Sequence, residues 1–173
     1  KTEKGWLSFQ EYFVREKCIP NVLEIKYEGI SEAKVNPSCI QAIKAADLII
    51  IAPSNPILSI APILSIKGLK EELINSKSPI VAVSPLIEGK AIKGPATQVM
   101  KSLGMLPNSL GIANFYSDFC KSIVVDEKDK GLQSQFKSLG FKAFYTDIFM
   151  KNVEDKIKLA EYVANLYEEN FRP

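Results

Sequence analysis

Leu48-Ile49-Ile50-Ile51-Ala52 is the stretch that decides the fold. Its five aliphatic side chains follow one another without the apolar and polar alternation of a strand that has one face in water. The run therefore predicts a central parallel strand that is covered on both faces. Ile80-Val81-Ala82-Val83 repeats the pattern, and a segment typical of a helix, residues 67–75, lies between the two runs. This order predicts a parallel sheet with helical crossover connections.

The alternation of strands and helices continues along the whole chain. Further strands are predicted at residues 22–27, 123–125 and 141–145, and helical segments at residues 7–15, 37–47, 96–103, 109–116, 132–139 and from residue 152 onward. We expect an α/β fold: a mostly parallel, Rossmann-like sheet with helices on both faces, in a three-layer α/β/α arrangement that is incomplete in this chain. No linker or repeat predicts an internal domain boundary within residues 1–173.

The composition argues against several classes of function. With 22 basic and 20 acidic residues the net charge is +2, which leaves no surplus for binding nucleic acid. No apolar run reaches the roughly 18 residues of a membrane span, so we expect a soluble, cytoplasmic protein. The absence of histidine removes the commonest general base near neutral pH. Cys18, Cys39 and Cys120 form no paired motif and are interpreted as small core residues.

Two polar loops, residues 53–59 and 84–96, follow the two aliphatic strands. The ligand crevice of an open parallel sheet lies beyond the carboxyl ends of its strands, so we expect both loops to face one site. Residues 53–59 lead into a short helical segment whose free N–H groups could hold phosphate. Such Ser, Asn and Pro clusters are also ordinary turn formers, and it is the pair of loops that favours a site. The candidate binding residues are Ser54, Asn55, Pro56, Ser59, Lys93 and Gly94.

Carboxylates and aromatic residues give weaker signals. Asp126 and Asp147 each end a predicted strand, where a carboxylate binds Mg²⁺ or a ribose hydroxyl but more often caps the next helix or turn. Phe9, Tyr12 and Phe13 form a stripe that is typical of a core or an interface, although such a cluster could also line a flat heterocycle.

Three motifs in order along the chain resemble the 2-phospho-L-lactate transferase family. They are residues 3–14, Glu-Lys-Gly-Trp-Leu-Ser-Phe-Gln-Glu-Tyr-Phe-Val; Pro53-Ser54-Asn55-Pro56 with Ser59-Ile60; and Lys93-Gly94-Pro95-Ala96. The resemblance extends from about Glu3 to about Asn152. Because family members are nearly twice this length, it implies that residues 1–173 are the carboxyl-terminal part of a single transferase domain.

The resemblance implies a specific reaction. Enzymes of this family move a phospholactyl or phosphoenolpyruvyl group from a guanosine diphosphate ester to the ribityl hydroxyl of the deazaflavin Fo, releasing GMP, in coenzyme F420 biosynthesis. It also implies Mg²⁺, with ligands in an amino-terminal half outside this sequence, and a homodimer. Ser54, Asn55 and Ser59 would then help bind the guanosine diphosphate moiety, with Lys93 and Gly94 nearby.

The chain departs from the family pattern at a few positions, and two other functions stay open. Ala52, Ala61 and Glu88 stand where the family usually has glycine, and Phe115 stands where it has histidine. Glu88 must point outward if its loop binds an anion. The alternatives are a non-enzymatic, nucleotide-sugar-binding regulator related to the gluconeogenesis-factor proteins, and a domain that acts only in assembly.

Overall fold

A four-stranded parallel sheet forms the centre of the computed structural model, which describes residues 1–92 and 94–172. The strands are β1 (Ile49–Ile51), β2 (Ile80–Val83), β3 (Leu86–Ile87), β4 (Lys90–Ala91), β5 (Ser122–Asp126) and β6 (Lys142–Thr146). The sheet has the order β1-β2-β5-β6, and β3 and β4 form a separate antiparallel hairpin. Ile49 pairs with Ile80, and Ser122 pairs with both Val81 and Lys142.

About half of the remaining described residues are helical. The α-helices are α1 (Pro37–Ala45), α2 (Ala61–Leu64), α3 (Leu69–Ile74), α4 (Ala96–Ser102), α5 (Ser109–Tyr116), α6 (Gln133–Ser138) and α7 (Val153–Asn170). Glu11–Arg15 and Pro56–Ile60 are π-helical turns, and Glu127–Leu132 is a 3-10 helix. Asparagine caps start three of the α-helices: Asn36, Asn108 and Asn152 each accept backbone N–H groups of the first turn.

Both faces of the sheet are covered, as predicted. Alternate residues of β2 and β5, for example Ala82 and Ile123, pack against residues of α3 to α6 on one face. Val81, Val83 and Val124 point to the other face, where they pack with α7. Full burial of such side chains is worth about 1.5–3 kcal/mol each, which makes the two clusters the main source of stability. The expected three-layer α/β/α fold is thus confirmed.

Strand β1 lies at the edge of the sheet that the described residues form, whereas the sequence predicted a central strand. Its only strand neighbour among the described residues is β2. Ile50 shares a face with Val81, and its side chain is 47% exposed. Ile49 and Ile51 point to the opposite face and are half-buried against the larger cluster. The apolar run therefore predicted correctly that these residues form a strand, but it did not predict the position of that strand in the sheet order of the described residues.

The amino-terminal segment differs most from the predictions. Residues 22–27 form no strand, because Val22 and Ile25 pack against the turn Pro56–Ile60 and helix α4 instead of joining the sheet. The helical segment predicted at residues 7–15 is mainly the π-helical turn Glu11–Arg15. Ser8 and Glu11 cap each other there: Ser8 N–H donates to the Glu11 carboxylate at 2.9 Å and Glu11 N–H to the Ser8 hydroxyl at 3.3 Å.

The cysteine prediction is correct for only one residue. Cys120 is buried in the larger cluster, Cys18 is half-buried and Cys39 is exposed on α1. Among the described residues, no helix is both long and apolar enough to cross a membrane.

Loop 84–96 contains structure that the sequence did not predict. The β3–β4 hairpin turns at Glu88 and Gly89, whose φ angles are +49° and +68°. Two consecutive positive φ angles are typical of a type I′ turn, which matches the twist of the two strands it joins. Asn-Gly or Asp-Gly at these positions would have predicted this turn from the sequence, whereas Glu-Gly is not a recognised signal for it.

Candidate functional site

Polar residues follow three neighbouring strands at one edge of the sheet. Ser54 and Asn55 come after β1, Ser84 comes directly after β2, and Asp126 is the last residue of β5. Because the three strands are parallel, all of these residues lie at the carboxyl edge. This is the edge at which α/β proteins bind their ligands.

Asn55 caps the π-helical turn that follows it. Its Oδ1 accepts the N–H groups of Ile57 at 2.9 Å and Leu58 at 3.0 Å. Its main-chain carbonyl accepts those of Ser59 and Ile60. Pro56 has no N–H group, so every backbone donor of this turn is already used or missing. The turn Pro56–Ile60 itself therefore offers no free N–H group to a phosphate.

The donors that remain in this loop are side chains. Nδ2 of Asn55 is buried and finds no hydrogen-bond partner among the described residues. A buried amide without a partner is uncommon, because leaving one unsatisfied costs about 1–3 kcal/mol. The hydroxyl-bearing residues beside it are Ser54, which is half-buried, and Ser59, which is exposed. The Oδ1 atom of Asn55 thus accepts hydrogen bonds within the turn, while its Nδ2 donor has no partner among the described residues.

The two predicted loops are brought together through apolar contacts. Ile57, one residue after Pro56, packs in the same cluster as Val99 of α4. Helix α4 begins two residues after Gly94, which is exposed and has a φ of +72°. The turn after β1 and the helix that follows loop 84–96 are therefore neighbours. Lys93 lies outside the described residues.

A buried network at the same edge was missed by sequence reasoning. The hydroxyls of Ser84 and Ser109 lie 3.0 Å apart, and Ser109 donates to Oδ2 of Asp129 at 2.9 Å. Oδ1 of Asp129 accepts the N–H of Glu88 at 3.2 Å. The Ser84 hydroxyl also accepts the N–H of Leu86 at 3.1 Å. The network ties the β3–β4 hairpin to the start of α5 and to the 3-10 helix after β5.

Asp129 is the titratable group whose environment is most unusual at this edge. Burial raises the pKa of its carboxyl above the ordinary value of 3.8, and the bonds from Ser109 and Glu88 oppose that shift. The nearby charges of Asp126 and Glu88 raise the same pKa further. Glu88 itself is exposed.

The two aspartates predicted at strand ends, Asp126 and Asp147, cap local structure. Oδ1 of Asp126 accepts the N–H of Lys128 at the start of the 3-10 helix, at 3.1 Å. Oδ1 of Asp147 accepts the N–H of Phe149 at 2.9 Å. Within residues 1–92 and 94–172, no group of three or more His, Cys, Asp or Glu residues could hold a metal ion.

Comparisons with known proteins agree on one family. A family model described as 2-phospho-L-lactate transferase CofD matches residues 1–162. The 2-phospho-L-lactate transferase of Methanosarcina barkeri is 39% identical over 163 residues, which cover 94% of this chain and 52% of that protein. The same-named protein of Methanocaldococcus jannaschii is 39% identical over 157 residues, covering 91% of this chain and 49% of that protein. This chain spans about half the length of the curated relatives it matches.

Solved structures add a comparison of the fold alone. Protein BH3568 of Bacillus halodurans, described in one determination as a member of the upf0052 family, superposes with a TM-score of 0.61 at 16% sequence identity. The superposition covers 94% of this chain and 57% of that one.

Proposed function

The chain belongs to the 2-phospho-L-lactate transferase family, and on that premise we propose that it is part of an enzyme of coenzyme F420 biosynthesis. The observation that carries the proposal is the amide of Asn55. It is a buried donor without a partner among the described residues, in the loop at the carboxyl edge of the sheet where α/β proteins bind ligands.

The proposed reaction is a transfer of a substituted phosphoryl group. The ribityl hydroxyl oxygen of the deazaflavin Fo forms a bond to the phosphorus that carries the lactyl or enolpyruvyl group. The bond from that phosphorus to the bridging oxygen of the diphosphate breaks, GMP leaves with that oxygen, and the hydroxyl proton passes to solvent. Positioned donors that neutralise the diphosphate charge supply most of the catalysis in such transfers.

The role proposed for this chain is to hold the guanosine diphosphate ester. Nδ2 of Asn55 would donate to a diphosphate oxygen, since its Oδ1 is committed to the turn. The hydroxyls of Ser54 and Ser59 and the backbone at Gly94 would contribute further donors. Pro56 would fix the shape of the loop, and the predicted contribution of Lys93 is its positive charge.

The family resemblance extends the proposal to parts that this chain does not supply. We propose that residues 1–173 are the carboxyl-terminal part of a single transferase domain. Mg²⁺ ligands would lie in the other half, and the enzyme would be a cytoplasmic homodimer. In this arrangement the described residues would bind and orient the donor.

The test is GMP release by the complete protein that contains this sequence, supplied with the lactyl guanosine diphosphate ester and Fo. GMP should appear only when both substrates are present. Asn55→Asp keeps the cap oxygen but removes the donor, and we expect it to lower the rate about 100-fold. The matched control is Asn36→Asp, the same change at the cap of α1, which should leave the rate unchanged.

Two results would contradict the proposal. One is a folded protein that releases no GMP; if it bound nucleotide sugars without turnover, the regulator alternative would be favoured. The other is an equal loss of rate in Asn55→Asp and Asn36→Asp, because that would make the effect of Asn55 unspecific.

A further inference from the structure

A single hydrogen bond joins the amino-terminal segment, residues 1–35, to the rest of the chain that the structure describes. It runs from the hydroxyl of Tyr27 to the main-chain carbonyl of Ile57 and is 2.6 Å long. The ion pairs of the described part of this segment all stay within it. The remaining attachment is apolar, since Val22 lies in one hydrophobic cluster with Ile57. Tyr27 thus provides the polar link between this segment and the turn that Asn55 caps.

The Ile57 carbonyl takes its donor from outside the π-helical turn because the turn cannot supply one in its own pattern. In a π-helix each N–H group donates to the carbonyl five residues earlier, as that of Ala61 does to Pro56. The residue that would donate to Ile57 in this pattern is Pro62, which has no N–H group. The Tyr27 hydroxyl donates to Ile57 instead. Burial raises the pKa of this hydroxyl above its ordinary value of 10.0, so it remains a donor near neutral pH.

One peptide group connects Tyr27 to the side chain of Asn55. The carbonyl of Ile57 and the N–H of Leu58 belong to the same planar peptide group and point to opposite sides of it. Tyr27 donates to that carbonyl, and the N–H donates to Oδ1 of Asn55 at 3.0 Å. Because the peptide group and the Asn55 amide are both planar, a peptide group that is held at both ends also limits the directions in which Nδ2 can point.

We propose that Tyr27 is a positioning residue that holds the Asn55 amide in the orientation that binds the guanosine diphosphate ester. The proposal rests on the role in donor binding proposed above for Asn55. The Tyr27 hydroxyl acts through the peptide group between Ile57 and Leu58 and not through a bond to the substrate. A displacement of about 1 Å in a positioning group can lower a rate about 100-fold. Because the bonds to Asn55 Oδ1 remain when the Tyr27 hydroxyl is removed, we expect a smaller loss of about tenfold.

The first test is steady-state GMP release by the complete protein, supplied with the lactyl guanosine diphosphate ester and Fo. Tyr27→Phe removes the hydroxyl and keeps the aromatic ring. We expect kcat/KM for the ester to fall about tenfold, while KM for Fo changes less than about twofold. The matched control is Tyr162→Phe, because the hydroxyl of this half-buried tyrosine of α7 also donates to a main-chain carbonyl, that of Tyr145 at 3.3 Å. Its kcat/KM should change less than about twofold.

A double variant shows whether Tyr27 acts through Asn55. In Asn55→Asp the positioned donor is already gone, so adding Tyr27→Phe should lower kcat/KM by less than about a further twofold. Two residues that acted independently would instead give losses that multiply, which here means a further loss of about tenfold. Tyr162→Phe in the same Asn55→Asp background provides the baseline for the comparison.

Backbone hydrogen exchange without ligand tests the positioning separately from the reaction. Tyr27→Phe should raise the exchange rate of the Leu58 N–H about fivefold or more, because the peptide group is then held at one end only. The exchange rate of Val124, which is buried in β5, should change less than about twofold, which shows that the protein as a whole remains folded. Tyr162→Phe should leave the Leu58 rate unchanged.

Three results would overturn the proposal. The first is an unchanged exchange rate of the Leu58 N–H in Tyr27→Phe. The second is an equal loss of kcat/KM in Tyr27→Phe and Tyr162→Phe, and the third is a pair of losses that multiply in the double variant with Asn55→Asp. If the wild type released no GMP, the proposed function would fail, whereas the Leu58 exchange rate would still decide whether Tyr27 fixes the turn.

Discussion

The Ser109 hydroxyl donates to Oδ2 of Asp129 at 2.9 Å, and both side chains are buried at the carboxyl edge of the sheet. The same carboxylate accepts the N–H of Glu88 at the tip of the β3–β4 hairpin. One acidic group thus joins the hairpin, the first residue of α5 and the 3-10 helix after β5. The network therefore holds the β3–β4 hairpin against the start of α5 and the 3-10 helix.

Removing the Asp129 carboxylate should destabilise the protein. Asp129→Ala leaves the Glu88 N–H and the Ser109 hydroxyl without their acceptor, and we expect the free energy of unfolding to fall by about 1–3 kcal/mol. Asp129→Asn should cost less, because its amide can accept from Glu88 and donate to Ser109. Urea denaturation measures both. The exposed Glu127 of the same helix is the control, and Glu127→Ala should change stability by less than about 0.5 kcal/mol.

The raised pKa of Asp129 predicts a dependence of stability on pH. Because the folded state holds this proton more tightly, the stabilising contribution of the protonated group is complete below pH 3.8 and is lost as the pH rises through the raised pKa. As the pH rises from 3.8 through the raised pKa, the free energy of unfolding of the wild type should therefore fall relative to that of Asp129→Asn. Urea titrations of the two proteins from about pH 3 to about pH 7 measure the difference. If the free energy of unfolding of the wild type stayed constant relative to that of Asp129→Asn, or rose relative to it with increasing pH, burial would not dominate the pKa of Asp129.

Gly111 in α5 should not tolerate a side chain. A Cβ atom at this position would lie 1.9 Å from the carbonyl oxygen of Leu106, so Gly111→Ala should lower the free energy of unfolding by at least about 2 kcal/mol. Gly131 is the matched control, because a Cβ atom there would meet nothing within 4 Å and its φ is not in the left-handed region. Gly131→Ala should be neutral or stabilising by up to about 1 kcal/mol. Thermal unfolding of both variants provides the comparison.

The cap made by Asn55 should contribute to stability separately from any ligand. Asn55→Ala loses the acceptor for Ile57 and Leu58 N–H, and we expect a cost of about 0.5–2 kcal/mol. Asn55→Asp retains the acceptor and should stay within about 0.5 kcal/mol of the wild type. Differential scanning calorimetry without ligand measures both. If Asn55→Ala and Asn55→Asp lowered the free energy of unfolding equally, Nδ2 rather than Oδ1 would be the group that stabilises the loop.

Glu88 should be replaceable by glycine with a gain in stability. Its φ of +49° is strained for a residue with a Cβ atom, and we expect Glu88→Gly to raise the free energy of unfolding by about 0.5–1 kcal/mol. Lys90→Gly, two residues on in β4 and also exposed, should instead lower it, because glycine weakens a strand. Chemical denaturation of the two variants checks the sign of each effect.

Local patterns predicted most of the elements. The residues of β2 and α5 match their predicted ranges, and β5, β6, α3, α4 and α6 agree to within two residues at either end. In the last helix the sequence pattern predicts an apolar stripe at Val153, Ile157, Ala160, Val163 and Tyr167. In α7, however, Val153 and Ile157 are exposed, and Leu159 and Leu166 are buried with Val163. Helical periodicity indicates that a helix has an apolar side, but neighbouring strands decide which residues lie at its centre.

The sequence by itself determined the α/β alternation, the asparagine helix caps and the loop around Asn55, because each depends on residues within a few positions of one another. Only the tertiary structure decided that β1 has a single strand neighbour among the described residues, that residues 22–27 stay outside the sheet and that Asp129 is buried with Ser109. Ser109 and Asp129 are 20 residues apart, and Asp129 stands among charged neighbours that are exposed. The burial of one carboxylate in such a run depends on partners supplied by distant segments, and therefore leaves no local pattern.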